Sequence, residues 1–147
     1  MCTPSRNLQH DRHLQAKSPL ARPLILVADD DEDTRTLFRT MLQLQGYRVI
    51  EAPDGEETVQ IAQSARPDLI LMDAGLPGVD GFDATRRIRG FGRMPIVFVS
   101  GHAEARFLAK ARQAGCDDYL VKPIDLDRLE EVIKKYISKT ARVLGAI

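Results

Sequence analysis

From Leu24 onward, short apolar runs alternate with amphipathic stretches, and the two periods predict strands and helices in strict alternation. LILVA (24–28) is a continuous apolar run of strand length, and Leu37, Phe38, Met41, Leu42 and Leu44 mark one helical face from about Asp33 to Gln45, ended by Gly46. YRVIEA (47–52) predicts a second strand. PDG (53–55) opens a helix through EETVQIAQSAR, which Pro67 closes. DLILMD (68–73), MPIVFVS (94–100) and DDYLV (117–121) predict the remaining strands. The stretches FDATRRIRG and EARFLAKARQAG predict the intervening helices, the second with Gly115 past its end. Leu126, Leu129, Val132, Ile133, Tyr136 and Ile137 draw an apolar stripe along a fifth helix.

Strands that are apolar on both faces imply a parallel sheet covered by helices on both sides. Right-handed crossovers leave few topologies, of which the flavodoxin-like, doubly wound (βα)5 order 2-1-3-4-5 is the commonest α/β solution at this length. In that order the ends of strands 1 and 3 are neighbours at the switch point, where such sheets place their ligands.

Five consecutive acids, Asp29 to Asp33, follow the first strand, and Asp73 terminates the third. Asp31, Glu32 and Asp33 read as an N-cap and acidic first helical turn, where the macrodipole favours them. Asp29, Asp30 and Asp73 instead fall together in the crevice. Two unit charges about 5 Å apart repel by roughly 3 kcal/mol at an effective dielectric of about 20, so converging carboxylates need a cation. A hard divalent ion with oxygen ligands, Mg2+ with Mn2+ as the alternative, suits them. Strand 4 ends in Ser100 followed by Gly101, and strand 5 is followed by Lys122 and Pro123.

These residues carry a family resemblance. The acidic pair after strand 1, LMDAGLPGVDG around strand 3, VSG after strand 4 and YLVKP after strand 5 resemble the receiver domain of two-component response regulators, over residues 23–138. Each motif is weak alone, whereas four in order at four strand ends are specific. The resemblance implies that Asp73 accepts a phosphoryl group from a histidine kinase or a histidine phosphotransfer protein. It implies that Asp30 binds Mg2+ directly, that Asp29 acts mainly through metal-bound water, and that Asp73 and the Gly75 carbonyl complete the shell. Lys122 would pair with a phosphoryl oxygen, and Ser100 would hydrogen-bond the phosphate as Tyr119 rotates inward behind it. Gly101 would keep the entrance open, and Pro123 would follow a cis bond. The altered face would be the fourth helix, fifth strand and fifth helix, which would serve a downstream effector or a homodimer. Residues 75 and 102, glycine and histidine here, occupy positions that tune phosphate lifetime in such proteins.

Composition narrows the partners. Twenty-one basic and 21 acidic side chains balance, giving no electrostatic case for nucleic acid or membrane, and no apolar run approaches a membrane span. Two cysteines without framework spacing, Cys2 and Cys116, fit a reducing compartment, hence a cytoplasmic protein, with Cys116 as a small apolar filler. His10, His13 and His102 lack metal-ligand spacing, and Asp80 reads as a turn former before a helix. Residues 1–22, with four basic groups and one acid, predict a flexible extension, and 139–147 a tail without an output domain. The chain thus reads as a single-domain regulator or a receiver excised from a longer protein, not an enzyme beyond slow self-catalysed phosphorylation and dephosphorylation. A phosphate-independent docking receiver is the alternative. An aspartate-nucleophile phosphatase of the haloacid dehalogenase type fits less well, since DAG at 73–75 lacks the DxD pair. A flavin carrier lacks a phosphate loop after strand 1.

Overall fold

A computed structural model describes residues 22–145, with side chains through 138; the extension expected at 1–22 lies outside them except for Arg22. Five strands, β1 (Leu24–Ala28), β2 (Arg48–Ala52), β3 (Leu69–Asp73), β4 (Ile96–Ser100) and β5 (Asp118–Val121), form one parallel sheet in the order β2-β1-β3-β4-β5. The helices are α1 (Glu32–Leu44), α2 (Gly55–Ala65), α3 (Gly81–Arg89), α4 (Ala105–Ala114) and α5 (Leu126–Gly145). The expected flavodoxin-like doubly wound fold is therefore present. The last helix continues through Gly145, across most of the segment read as a tail.

Strand residues alternate between two cores because successive side chains point to opposite faces. Ile25, Val27, Leu69, Leu71, Val97 and Val99 pack against Phe38 and Leu42 of α1 and Leu129, Val132 and Ile133 of α5. Leu26, Ile70, Met72, Ile96 and Phe98 face the other way, against Ala62 of α2, Phe82 and Ile88 of α3 and Ala111 of α4. Leu37 and Leu44, expected on the buried face of α1, are exposed. At about 100° per residue they fall outside the stripe set by Phe38, Met41 and Leu42. Among the described residues no helix is long and apolar enough to cross a membrane.

At the carboxyl edge of the sheet α1, α2 and α3 begin on aspartate caps. Asp31 accepts from the Thr34 amide at 3.1 Å, Asp54 from Glu57 at 2.8 Å and Asp80 from Asp83 at 2.9 Å, each satisfying an otherwise unpaired N–H. The acidic run after β1 thus divides as expected, with Asp31, Glu32 and Asp33 serving α1. Asp80 is the turn former the sequence predicts.

Two glycines draw helices onto the loop that follows β3. A Cβ on Gly55 would stand 1.7 Å from the Val79 carbonyl oxygen, and one on Gly81 would stand 2.6 Å from the carbonyl oxygen of Asp73. The Gly81 amide also donates to the Ala74 carbonyl at 3.0 Å, so the loop closes directly behind Asp73. Gly81→Ala should push the β3–α3 loop off its seat and lower stability by about 1–3 kcal/mol. Urea unfolding of the variant against the wild type measures this.

Candidate functional site

The carboxyl edge of the sheet gathers residues from four strand ends. Asp29 and Asp30 follow β1, Asp73 is the last residue of β3, Ser100 the last of β4, and Lys122 comes directly after β5. One carboxylate oxygen from each of Asp29, Asp30 and Asp73 lies within 4.8 Å of the others. Asp29 is buried, Asp73 half-buried and Asp30 exposed, so the cluster opens to solvent on one side.

Each carboxylate is held by a different device. The Asp29 Oδ1 accepts from the Asp31 amide at 2.9 Å, and its Oδ2 lies 3.5 Å from the Lys122 Nζ. The Asp73 Oδ1 accepts from the Gly75 amide at 3.2 Å. Burial raises the Asp73 pKa above its ordinary value, and the charges of Asp29 and Asp30 push the same way. The Gly75 N–H and the Lys122 ammonium oppose the rise without cancelling it. With one lysine 35% exposed at the edge of the group, three converging acids carry an excess of negative charge. Three hard oxygen donors open to water on one side fit Mg2+, which binds through a few carboxylates and keeps several waters.

Ser100 is buried at the end of β4, and its Oγ accepts from the His102 amide at 3.3 Å. The Lys122 amide donates to the Ser100 carbonyl at 2.8 Å, which ties the serine and lysine ends of adjacent strands together. The Lys122–Pro123 peptide is cis, as expected. Tyr119 pairs with Phe98 across β4 and β5, and its ring stacks on Phe98 with centroids 6.2 Å apart. Its hydroxyl is buried with no hydrogen-bond partner. Tyr119 therefore already occupies an inward position, which the sequence reading assigned to the activated state. A Cβ on Gly101 would meet nothing within 4 Å, so the mouth is open there and crowding does not demand glycine. His102 stacks on Phe107 at 4.1 Å between centroids and lies beside Glu104, on the α4 side of the mouth. Cys116 is half-buried against the core, and burial pushes its thiol up to about 11, as suits an inert filler. His10, His13 and Cys2 lie outside the described residues.

The sequence reading overlooked Arg35 and Glu51. Arg35, in α1, donates from its NH1 to the Asp29 carbonyl at 2.8 Å and from Nε to the Glu51 carboxylate of β2 at 3.2 Å. Nothing local marks the pair, which is 16 residues apart in the chain.

The raised Asp73 pKa has a thermodynamic consequence with a definite sign. A carboxyl whose folded pKa lies above its ordinary 3.8 contributes its full stability below that value and loses it as pH rises through the raised one. In EDTA at pH 7, Asp73→Asn should therefore melt higher than the wild type, by on the order of 3 °C for each kcal/mol of repulsion relieved. The difference should shrink as the pH falls through the raised pKa and disappear below the ordinary 3.8, where the acid is neutral in both states. Melting curves across this range, read by circular dichroism, check both parts.

Known proteins resemble this chain in sequence and fold. The family model described as response regulator receiver domain matches residues 25–134. The transcriptional regulatory protein AfsQ1 of Streptomyces coelicolor is 35% identical over 120 residues, covering 82% of this chain and 53% of the regulator. The polar-differentiation response regulator DivK of Brucella anthropi is 34% identical over 116 residues, covering 77% of this chain and 94% of DivK. The chain thus spans about half the length of AfsQ1. It also spans 17% of a third relative, the sensor kinase/phosphatase CqsS of Vibrio cholerae. Among solved structures, the receiver domain of the sensor histidine kinase PA1611 of Pseudomonas aeruginosa superimposes with a TM-score of 0.75 at 36% identity, covering 80% of this chain and 99% of that one. That receiver has a magnesium ion coordinated in its active site cleft. The chemotaxis protein CheY4 of Vibrio cholerae gives a TM-score of 0.75 at 28% identity, covering 79% and 99% of the two chains.

Proposed function

The chain belongs to the response regulator receiver domain family, and from that premise we propose that it is a phosphorylation-dependent signalling switch whose acceptor is Asp73. The observation that carries the reading is the convergence of Asp29, Asp30 and Asp73 within 4.8 Å, with the Lys122 ammonium beside Asp29. The receiver unit would span residues 23–138.

An Asp73 carboxylate oxygen attacks the phosphorus of a phosphohistidine on a kinase or phosphotransfer protein. The P–N bond breaks, the imidazole leaves with the bonding electrons and regains a proton, and an acyl phosphate remains on Asp73. Mg2+ held by Asp29, Asp30, Asp73 and the Gly75 carbonyl would neutralise charge on the transferring phosphoryl oxygens. Mn2+, also a hard oxygen-binding ion, would substitute. Lys122, whose ammonium lies 3.5 Å from the Asp29 Oδ2, would pair with a phosphoryl oxygen, and the Ser100 hydroxyl, which accepts from the His102 amide, would donate to the phosphate. A hydroxyl newly bound to phosphate would shift its contact with the His102 amide at the start of the β4–α4 connection, so the added charge would be read out at α4, β5 and α5. This face exposes Val121 and Leu126 and would dock a downstream effector or a second copy of the chain. Tyr119, already inward, leaves Ser100 as the first moving part. Water attack on the acyl phosphate resets the site, so the chain turns over no separate substrate. We place the protein in the cytoplasm.

Acetyl phosphate and Mg2+, followed by intact mass, test the acceptor. The wild type should gain one phosphoryl group only when Mg2+ is present, and Asp73→Asn should gain none. Persistent failure to label while Mg2+ still binds would leave a docking module that works without phosphate.

Phosphate lifetime gives a second test. A Cβ on Gly75 would lie 4.0 Å from the Asp73 Oδ1, so a side chain there would stand beside the acyl phosphate. Gly75→Asn should change the dephosphorylation rate severalfold. Equal half-lives of the phosphorylated mass in the two proteins would remove that role.

A further inference from the structure

We propose that Arg35 is a positioning residue for the carboxylate cluster, holding the Asp29–Asp30 peptide in the orientation that lets both acids reach one cation. The inference rests on the metal-binding reading above and concerns how this chain builds that site.

Arg35 sits in the first turns of α1 with its side chain only 16% exposed. Its NH1 donates to the Asp29 carbonyl, the oxygen of the peptide joining Asp29 to Asp30, at 2.8 Å. Its Nε donates to the Glu51 Oε1 at 3.2 Å, while the Glu51 Oε2 takes the NH1 of Arg39 at 2.6 Å. Glu51 lies on β2, opposite Val27 of β1. One guanidinium therefore fastens the turn after β1 to the adjacent strand. The other polar group of the Asp29 backbone is also taken, since its amide donates to the Ala52 carbonyl at 3.1 Å. With the Asp29 N–H and C=O both bonded and its Oδ1 accepting from the Asp31 amide, Oδ2 is the oxygen turned toward Lys122.

Charge and geometry predict opposite outcomes for Arg35. A cation beside a cation site opposes Mg2+ binding if it acts through its field alone, so its removal would tighten binding. A residue that orients ligands strengthens binding, and removing such a partner weakens metal affinity about tenfold or more. Arg39 supplies the comparison, because it pairs with the same Glu51 but is not bonded to the Asp29 carbonyl.

Calorimetric titration with MgCl2, with melting temperature recorded in parallel, tests the proposal on the full chain. Arg35→Met should weaken Mg2+ binding about tenfold. Arg35→Lys, which keeps the charge but cannot span both acceptors, should weaken it as well and serves if the methionine variant does not fold. Arg39→Met should stay within about twofold of the wild type. Unchanged or tighter binding in Arg35→Met, full affinity in Arg35→Lys, or an equal loss in Arg39→Met would overturn the proposal. Absence of Mg2+ binding by the wild type would overturn the metal reading with it, whereas wild-type binding with unaffected Arg35 variants overturns this inference alone.

Discussion

Mutual repulsion among Asp29, Asp30 and Asp73 is the constraint around which the carboxyl edge of this protein is organised. An ordinary core would not bring three carboxylates within 4.8 Å of one another. The fold holds them there by covalent placement: Asp73 ends one buried strand and Asp29 follows its neighbour, so the sheet cannot form without bringing them together. The stability of the apolar strands thus maintains an electrostatic conflict at their ends. A hard divalent cation, held by these three carboxylates, is the species that would relieve it.

Everything nearby limits how the cluster could relax by moving apart. Gly55 and Gly81 bring α2 and α3 onto the loop behind Asp73 at a separation no side chain would permit. Arg35 and the Ala52 carbonyl pin the backbone of Asp29 from the β2 side. Lys122 and Ser100 are coupled through a backbone hydrogen bond across β4 and β5. Ser100 is itself buried, and its hydroxyl accepts from the His102 amide at the start of the β4–α4 connection.

The strand ends were legible because a parallel sheet turns sequence order into spatial order. Once LILVA, DLILMD, MPIVFVS and DDYLV were read as strands, the residues ending them had to share one edge. The helical stripe of α5 was legible from Leu129 onward, with Leu129, Val132, Ile133 and Tyr136 buried as a 3.6-residue period requires, whereas Leu126, read into the same stripe, is exposed in the first turn of the helix. Leu37 and Leu44 were misplaced because apolarity alone does not say which residues of a mixed face meet the sheet. Arg35 was missed for a different reason. Its partners are the carbonyl of Asp29 and a glutamate on β2, and a main-chain acceptor leaves no mark in the sequence.

By itself, then, the sequence determined the elements, their order and the chemical character of each strand end, since these follow from periodicity and from the fixed direction of a parallel strand. Tertiary structure decided the rest: how near the carboxylates stand, which way Tyr119 points, that α5 runs on to Gly145, and that Arg35 reaches Asp29. The carboxylate spacing, the Tyr119 stacking and the Arg35 contact depend on distances between segments remote in the chain, which packing fixes and local pattern does not encode.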